Sequence, residues 1–100
     1  MDLNEIERSI MEYVEKRWIN APKSPTIEDA FIHLTEEVGE IARQIFNKNL
    51  GSDKFDKDNL KEEIVDAFLD IIVLAKMNNL DLEKEVKNKL DKLHSRKELR

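Results

Sequence analysis

Two short acidic clusters hold the residues best suited to chemistry. Glu36-Glu37-Val38-Gly39-Glu40 and Glu63-Ile64-Val65-Asp66 each place two carboxylates three residues apart. On a helix, residues at that spacing project side by side, so Glu37 pairs with Glu40 and Glu63 with Asp66. If the two helices are neighbours, both pairs can converge on one point between them. Four carboxylates left alone there would repel one another and be partly neutralised. A hard divalent cation with oxygen ligands, Mg²⁺ or Mn²⁺, resolves both problems. The chain has no cysteine, so any metal is held by oxygen or by His33 and His94.

The second cluster opens an almost wholly apolar stretch. From Ile64 to Ala75 the only polar residues are Asp66 and Asp70, and carboxylates seldom enter a core without a compensating partner. At 100° per residue, Glu63, Asp66 and Asp70 fall within about 60° of one another. Leu60, Ile64, Ala67, Ile71 and Leu74 form the adjoining apolar stripe. A single acidic pair on a helix is most simply a solvated face. Two pairs, one embedded in an apolar helix, weigh towards a site. Glu36 lies opposite the apolar stripe of its own helix, and for it a solvated charge and a site role are evenly balanced. Asp70 is either an additional ligand or an acid at the mouth of the site. His33, four residues before Glu37, would suit a His/carboxylate pair, although a satisfied boundary residue is the plainer reading. Gly39 costs ~1 kcal/mol relative to Ala in a helix interior, which a close approach of ligand or backbone would explain.

The elements that must position these residues are helices. Leu3, Ile6, Ile10, Tyr13 or Val14, and Trp18 recur at helical period, predicting a first helix over about 3–18. Asn20 to Pro25 holds both prolines and reads as a loop. Thr26 and Asp29 resemble a capping box that opens a second helix over about 26–49. Its apolar face is Ile27, Ala30, Phe31, Leu34, Val38, Ile41, Ala42 and Ile45. Gly51 is a left-handed stop and Asp56 or Asp58 the next cap, giving a third helix over about 59–78. A fourth, about 82–96, carries Leu82, Val86, Leu90 and Leu93 on an otherwise charged surface. Lys97 to Arg100 are expected to fray. The predicted fold is a single all-α domain over residues 1–100, a four-helix antiparallel bundle in which the second and third helices are neighbours.

A chain of 100 residues buries only roughly 60–70% of the surface it exposes unfolded. A dimer or higher oligomer would help. The net charge of −5 argues against binding a nucleic acid polymer, which needs clustered Lys and Arg. No apolar run reaches the 18 residues of a membrane span, and the N-terminus lacks the basic start of a signal peptide. A cytoplasmic location without membrane partners is expected. Among the aromatics, Phe31 and Phe68 read as core, whereas Phe55 and Trp18, in or beside loops, are candidates to stack on a base. Lys84, Lys87, Lys89, Lys92 and Arg96 read most simply as a charge-mixed face.

The order and spacing of the motifs, Glu36-Glu37-x-x-Glu40 followed after 22 residues by Glu63-x-x-Asp66, resemble the MazG-like all-α nucleoside triphosphate pyrophosphohydrolases. The similarity extends over about residues 26–96, including the apolar run after Asp66 and the Leu80-Asp81-Leu82-Glu83 turn into a helix with late Lys and Arg. It implies an enzyme that binds Mg²⁺, with Mn²⁺ as substitute, through Glu37, Glu40, Glu63 and Asp66. It also implies hydrolysis of an NTP or dNTP to the monophosphate and pyrophosphate by water attack at the α-phosphorus. Small size and this family resemblance together lead to the expectation of a homodimer, with a tetramer as the alternative. A carboxylate not fully used as ligand, Glu36 or Glu37, would take the water's proton. Lys89 and Arg96 match basic positions that in relatives face the phosphates; the polar residue often found between them is Leu93 here. The competing reading is a non-enzymatic helical interaction module whose acidic flanks are solvated. A di-iron bundle would need Glu-x-x-His on two helices, and neither histidine is so placed.

Overall fold

The structure, a computed structural model, describes residues 1–96. The expectation for Lys97 to Arg100 lies outside the described residues. Four helices follow one another: α1 (Leu3–Trp18), α2 (Ile27–Leu50), α3 (Lys57–Met77) and α4 (Leu82–Ser95). Among the described residues there is no strand, and no helix is long and apolar enough to cross a membrane.

The helix ends follow from local chemistry. Asp2 caps α1 by accepting from the Glu5 N–H. At α2, the Asp29 N–H donates to Thr26 Oγ1 at 3.2 Å, and the Thr26 N–H donates back to Asp29 Oδ2 at 2.9 Å, a reciprocal capping box. Those bonds hold the Asp29 carboxyl below its ordinary range. α2 stops at Gly51, whose φ of 67° lets the Gly51 and Ser52 N–H groups donate back to Lys48 and Asn47. α3 starts two residues earlier than apolar spacing suggests, because the Asp56 carboxylate accepts from both Asp58 and Asn59 N–H groups. It ends when Asn79, at φ 58°, and Leu80 donate to Lys76 and Ala75. Gln44, buried on α2, accepts from the Asp56 N–H at 2.9 Å and ties down the α2–α3 loop.

α2 and α3 form the principal interface, joined by the short loop 51–56 into an antiparallel pair. α1 lies on α3, and its half-buried residues Leu3, Ile6, Ile10, Met11, Val14 and Trp18 share one helical face, so of the two sequence alternatives Val14 is the half-buried one and Tyr13 the exposed one. Glu7, buried in the same contact, pairs with Lys76 at 3.0 Å. α4 buries none of its residues and packs only lightly on α3; Asn4 tethers it by donating to Glu83 at 2.8 Å.

The core of this chain is small. Among the described residues, the buried apolar ones are Ala30, Ala67, Ile72, Val73 and Ala75, and only Ile72 is fully enclosed. Phe31 and Phe68, expected in the core, are instead 58% and 48% exposed. α2 turns Ala30, Leu34, Ile41 and Gln44 towards α3, leaving the adjacent row of Ile27, Phe31, Val38 and Ile45 in the open. α3 does the same with Ile64, Phe68 and Ile71. Helical periodicity puts both rows on the same side of the antiparallel pair, as one apolar face two helices wide.

Of the two reasons expected for Gly39, the structure removes one, a close approach of neighbouring backbone. A Cβ placed there would meet nothing within 4 Å, so no close backbone approach requires glycine. Gly39→Ala should raise unfolding stability by about 0.5–1 kcal/mol. A urea midpoint that failed to rise would contradict this.

Candidate active site

The acids occupy the flank of the α2/α3 pair opposite the exposed apolar face. Glu37, on α2, has a side chain only 14% exposed. Burial pushes its carboxyl above the ordinary glutamate range, and the negative charges of Glu40 and Asp66 push it further. Glu63, on α3, is raised by burial and then by the same two neighbours, Glu40 and Asp66. The repulsion thus crosses the interface in both directions. Glu40, Asp66 and Glu36 are exposed at the rim. Glu63 Oε2 is buried without a hydrogen-bond partner. An unsatisfied buried carboxylate oxygen is costly, and an all-oxygen donor set beside it fits a hard divalent cation.

One contact here joins two residues that sequence treats separately. His33 Nδ1 lies 2.7 Å from Asp70 Oδ2, linking α2 to α3, and His33 Nε2 stands 4.0 Å from Glu37 Oε1. The His33 imidazole is held more basic than usual, chiefly by its hydrogen bond to Asp70 and by the charges of Asp70, Glu37 and Glu36, against the opposing effect of burial.

Beside the acids opens a cleft of about 600 Å³, within the range of small-ligand sites. α1 contributes Tyr13, Val14, Arg17 and Trp18; α2 contributes Asp29, His33 and Glu37; α3 contributes Asp66, Leu69, Asp70 and Val73. Apolar walls, several carboxylates and one guanidinium therefore meet in one space. Arg17 donates to the Tyr13 hydroxyl at 3.2 Å. Of the base-stacking candidates, Trp18 lines this cleft, whereas Phe55 sits in the α2–α3 loop beneath Lys48 Nζ, 5.8 Å from its ring centre. Lys89 lies on exposed α4 and Arg96 just beyond its end, both outside the cleft lining. Tyr13 and Arg17 join the cleft without having been singled out above as site residues; their i,i+4 spacing, ending at the residue before Trp18, is the signal that marks them.

Residues 26–100 match the family model of the MazG nucleotide pyrophosphohydrolase domain. The chain belongs to this family. The matched segment contains both acidic pairs, while α1, with its wall of the cleft, precedes it. Two similar proteins are an uncharacterized 18.2 kDa protein in the rep-hol intergenic region of Haemophilus phage HP1 and the uncharacterized protein YvdC of Bacillus subtilis. The first is 32% identical over 80% of this chain, which spans 44% of the phage protein's length. The second is 34% identical over 96% of both chains. No solved structure matches.

The crowding of carboxylates in this MazG-family chain sets a pH dependence. A carboxyl whose pKa is higher folded than unfolded holds its proton more tightly in the fold. Its contribution to stability is therefore present at acidic pH and is lost as pH rises through the folded value. Glu37 and Glu63 both shift upward. In EDTA, Glu63→Gln should gain stability over the parent chain between about pH 4 and pH 7. Urea midpoints that differ by the same amount at both pH values would contradict this.

Proposed function

We propose that the cleft binds a nucleoside or deoxynucleoside triphosphate and hydrolyses it to the monophosphate and pyrophosphate. The observation that carries this reading is the mutual repulsion of Glu37, Glu40, Glu63 and Asp66 across α2 and α3, with the unpartnered Glu63 Oε2 among them. Membership of the pyrophosphohydrolase family supplies the reaction class. These four carboxylates would hold Mg²⁺, or Mn²⁺ in its place. When bound, the ion would neutralise phosphate charge, orient the triphosphate and lower the pKa of the attacking water.

The chain's own groups do the rest. Water oxygen bonds to the α-phosphorus, the bond from that phosphorus to the α–β bridging oxygen breaks, and pyrophosphate leaves. Glu36, exposed beside the acids, or a Glu37 oxygen not used as a ligand, accepts the proton of the water. Trp18 stacks on the base within the cleft. Lys89 and Arg96 provide cations for the phosphates.

A homodimer answers the packing. Five buried apolar residues among those described, three of them alanine, are a thin core, while Phe31, Val38, Ile45, Ile64, Phe68 and Ile71 lie open along one face. A continuous apolar face of this kind marks an interface. A cysteine-free nucleotide hydrolase of this design suits the cytoplasm.

The test is a pyrophosphate-release screen of ribo-, deoxyribo- and modified nucleoside triphosphates with Mg²⁺ and with Mn²⁺. Release from at least one of them, dependent on the metal, is expected. No release across the panel would overturn the reading in favour of a helical interaction module.

A further inference from the structure

We infer that His33 extends the carboxylate centre into a mixed nitrogen–oxygen metal position, in which His33 Nε2 and Glu37 Oε1 are ligands and Asp70 orients the imidazole. The inference rests on the reading that Glu37 belongs to a metal centre, and adds to it a residue and a metal preference.

Three observations lead to it. An ionised carboxylate can only accept hydrogen bonds, so the 2.7 Å contact between Asp70 Oδ2 and His33 Nδ1 puts a proton on Nδ1. In the neutral ring the lone pair is then on Nε2. That nitrogen stands 4.0 Å from Glu37 Oε1. The gap is too long for a hydrogen bond, but two ligand atoms each about 2.0–2.2 Å from one ion can be that far apart. Finally, His33, Glu37 and Asp70 bring one potential ligand atom each within 4.8 Å of one another. A carboxylate that holds Nδ1–H while Nε2 faces a metal is a recurrent arrangement in histidine metal sites, where it fixes the ring and raises its basicity.

The consequence is selectivity. Mg²⁺ and Mn²⁺ favour oxygen donors, whereas Co²⁺ and Zn²⁺ accept imidazole nitrogen readily. Zn²⁺ should therefore bind through His33, and Mg²⁺ and Mn²⁺ through the carboxylates alone. An ordinary solvent-exposed His–Asp ion pair, the competing explanation, would give neither metal a special dependence on His33.

Calorimetric titration of the full chain with MgCl₂, MnCl₂ and ZnCl₂ tests this, using the parent, His33→Ala, Asp70→Asn and, as a control for surface histidine, His94→Ala. His33→Ala is expected to weaken Zn²⁺ binding by about 10-fold or more, and Asp70→Asn by about 10-fold. Mg²⁺ and Mn²⁺ affinities should stay within about twofold in His33→Ala, and His94→Ala should match the parent throughout. The Nε2 resonance of His33 should shift on Zn²⁺ addition in the parent. Parent-like Zn²⁺ affinity in His33→Ala would overturn the inference while leaving the carboxylate centre intact. If the parent binds none of the three ions, both fail together.

Discussion

Asp66→Asn is expected to lower pyrophosphate release by about 10²–10³-fold while leaving the helical content unchanged. The side chain sits at the exposed rim of the α2/α3 flank, so an isosteric amide removes charge without opening a cavity. In the metal-free protein, that charge pushes the carboxyls of both Glu37 and Glu63 upward. Removing it relaxes the repulsion, so Asp66→Asn should be at least as stable as the parent in EDTA and gain less from added Mg²⁺. Opposite signs for activity and metal-free stability distinguish a ligand from a residue that merely supports the fold. Steady-state kinetics beside thermal melts, with and without Mg²⁺, measure both. Parent-like turnover in Asp66→Asn would remove it from the site.

The second large effect concerns assembly. Phe68 is 48% exposed on α3, beside Ile64 and Ile71, within the apolar face that α2 and α3 share. If a second copy covers this face, Phe68→Asp puts an unpaired carboxylate into an apolar contact on both sides of the interface. Desolvating such a charge costs several kcal/mol, so the dissociation constant should rise by about 10³-fold or more. Light scattering should then report twice the chain mass of 11.8 kDa for the parent and a single chain for Phe68→Asp. With so thin a core, the separated chain should also unfold more readily and lose activity. A parent protein that is monomeric at micromolar concentration would contradict the proposed dimer.

Much of the fold was legible because it is written in local chemistry. Thr26 and Asp29, Gly51, and Asp56 each signal a helix end through a group the backbone needs there, and the structure uses all of them. The apolar faces were less legible. Periodicity says that Phe31, Val38 and Ile45 share a stripe, but a stripe wider than one neighbour can cover does not reveal which edge this chain buries. α3 covers the Ala30, Leu34 and Ile41 edge and leaves the phenylalanines outside.

The candidate site divides in the same way. The spacing of Glu37 with Glu40 and of Glu63 with Asp66 is a within-helix property and can be read from the chain. The link from His33 to Asp70 crosses 37 residues, and depends on how α2 and α3 slide against each other. So does the meeting of Tyr13, Arg17 and Trp18 with the acids, since it requires α1 to lie along α3. Asp70, unexplained as a lone acid in an apolar run, gains a partner only once the register is known.

We expect one carboxylate centre to direct water to the α-phosphorus of a nucleoside triphosphate. Hydrolysis in ¹⁸O-water with Mg²⁺, with the products weighed by mass spectrometry, tests it most directly. The expected result is a single ¹⁸O on the nucleoside monophosphate, unlabelled pyrophosphate, and loss of both products in Glu40→Gln. Label in the pyrophosphate, or orthophosphate as the product, would contradict it.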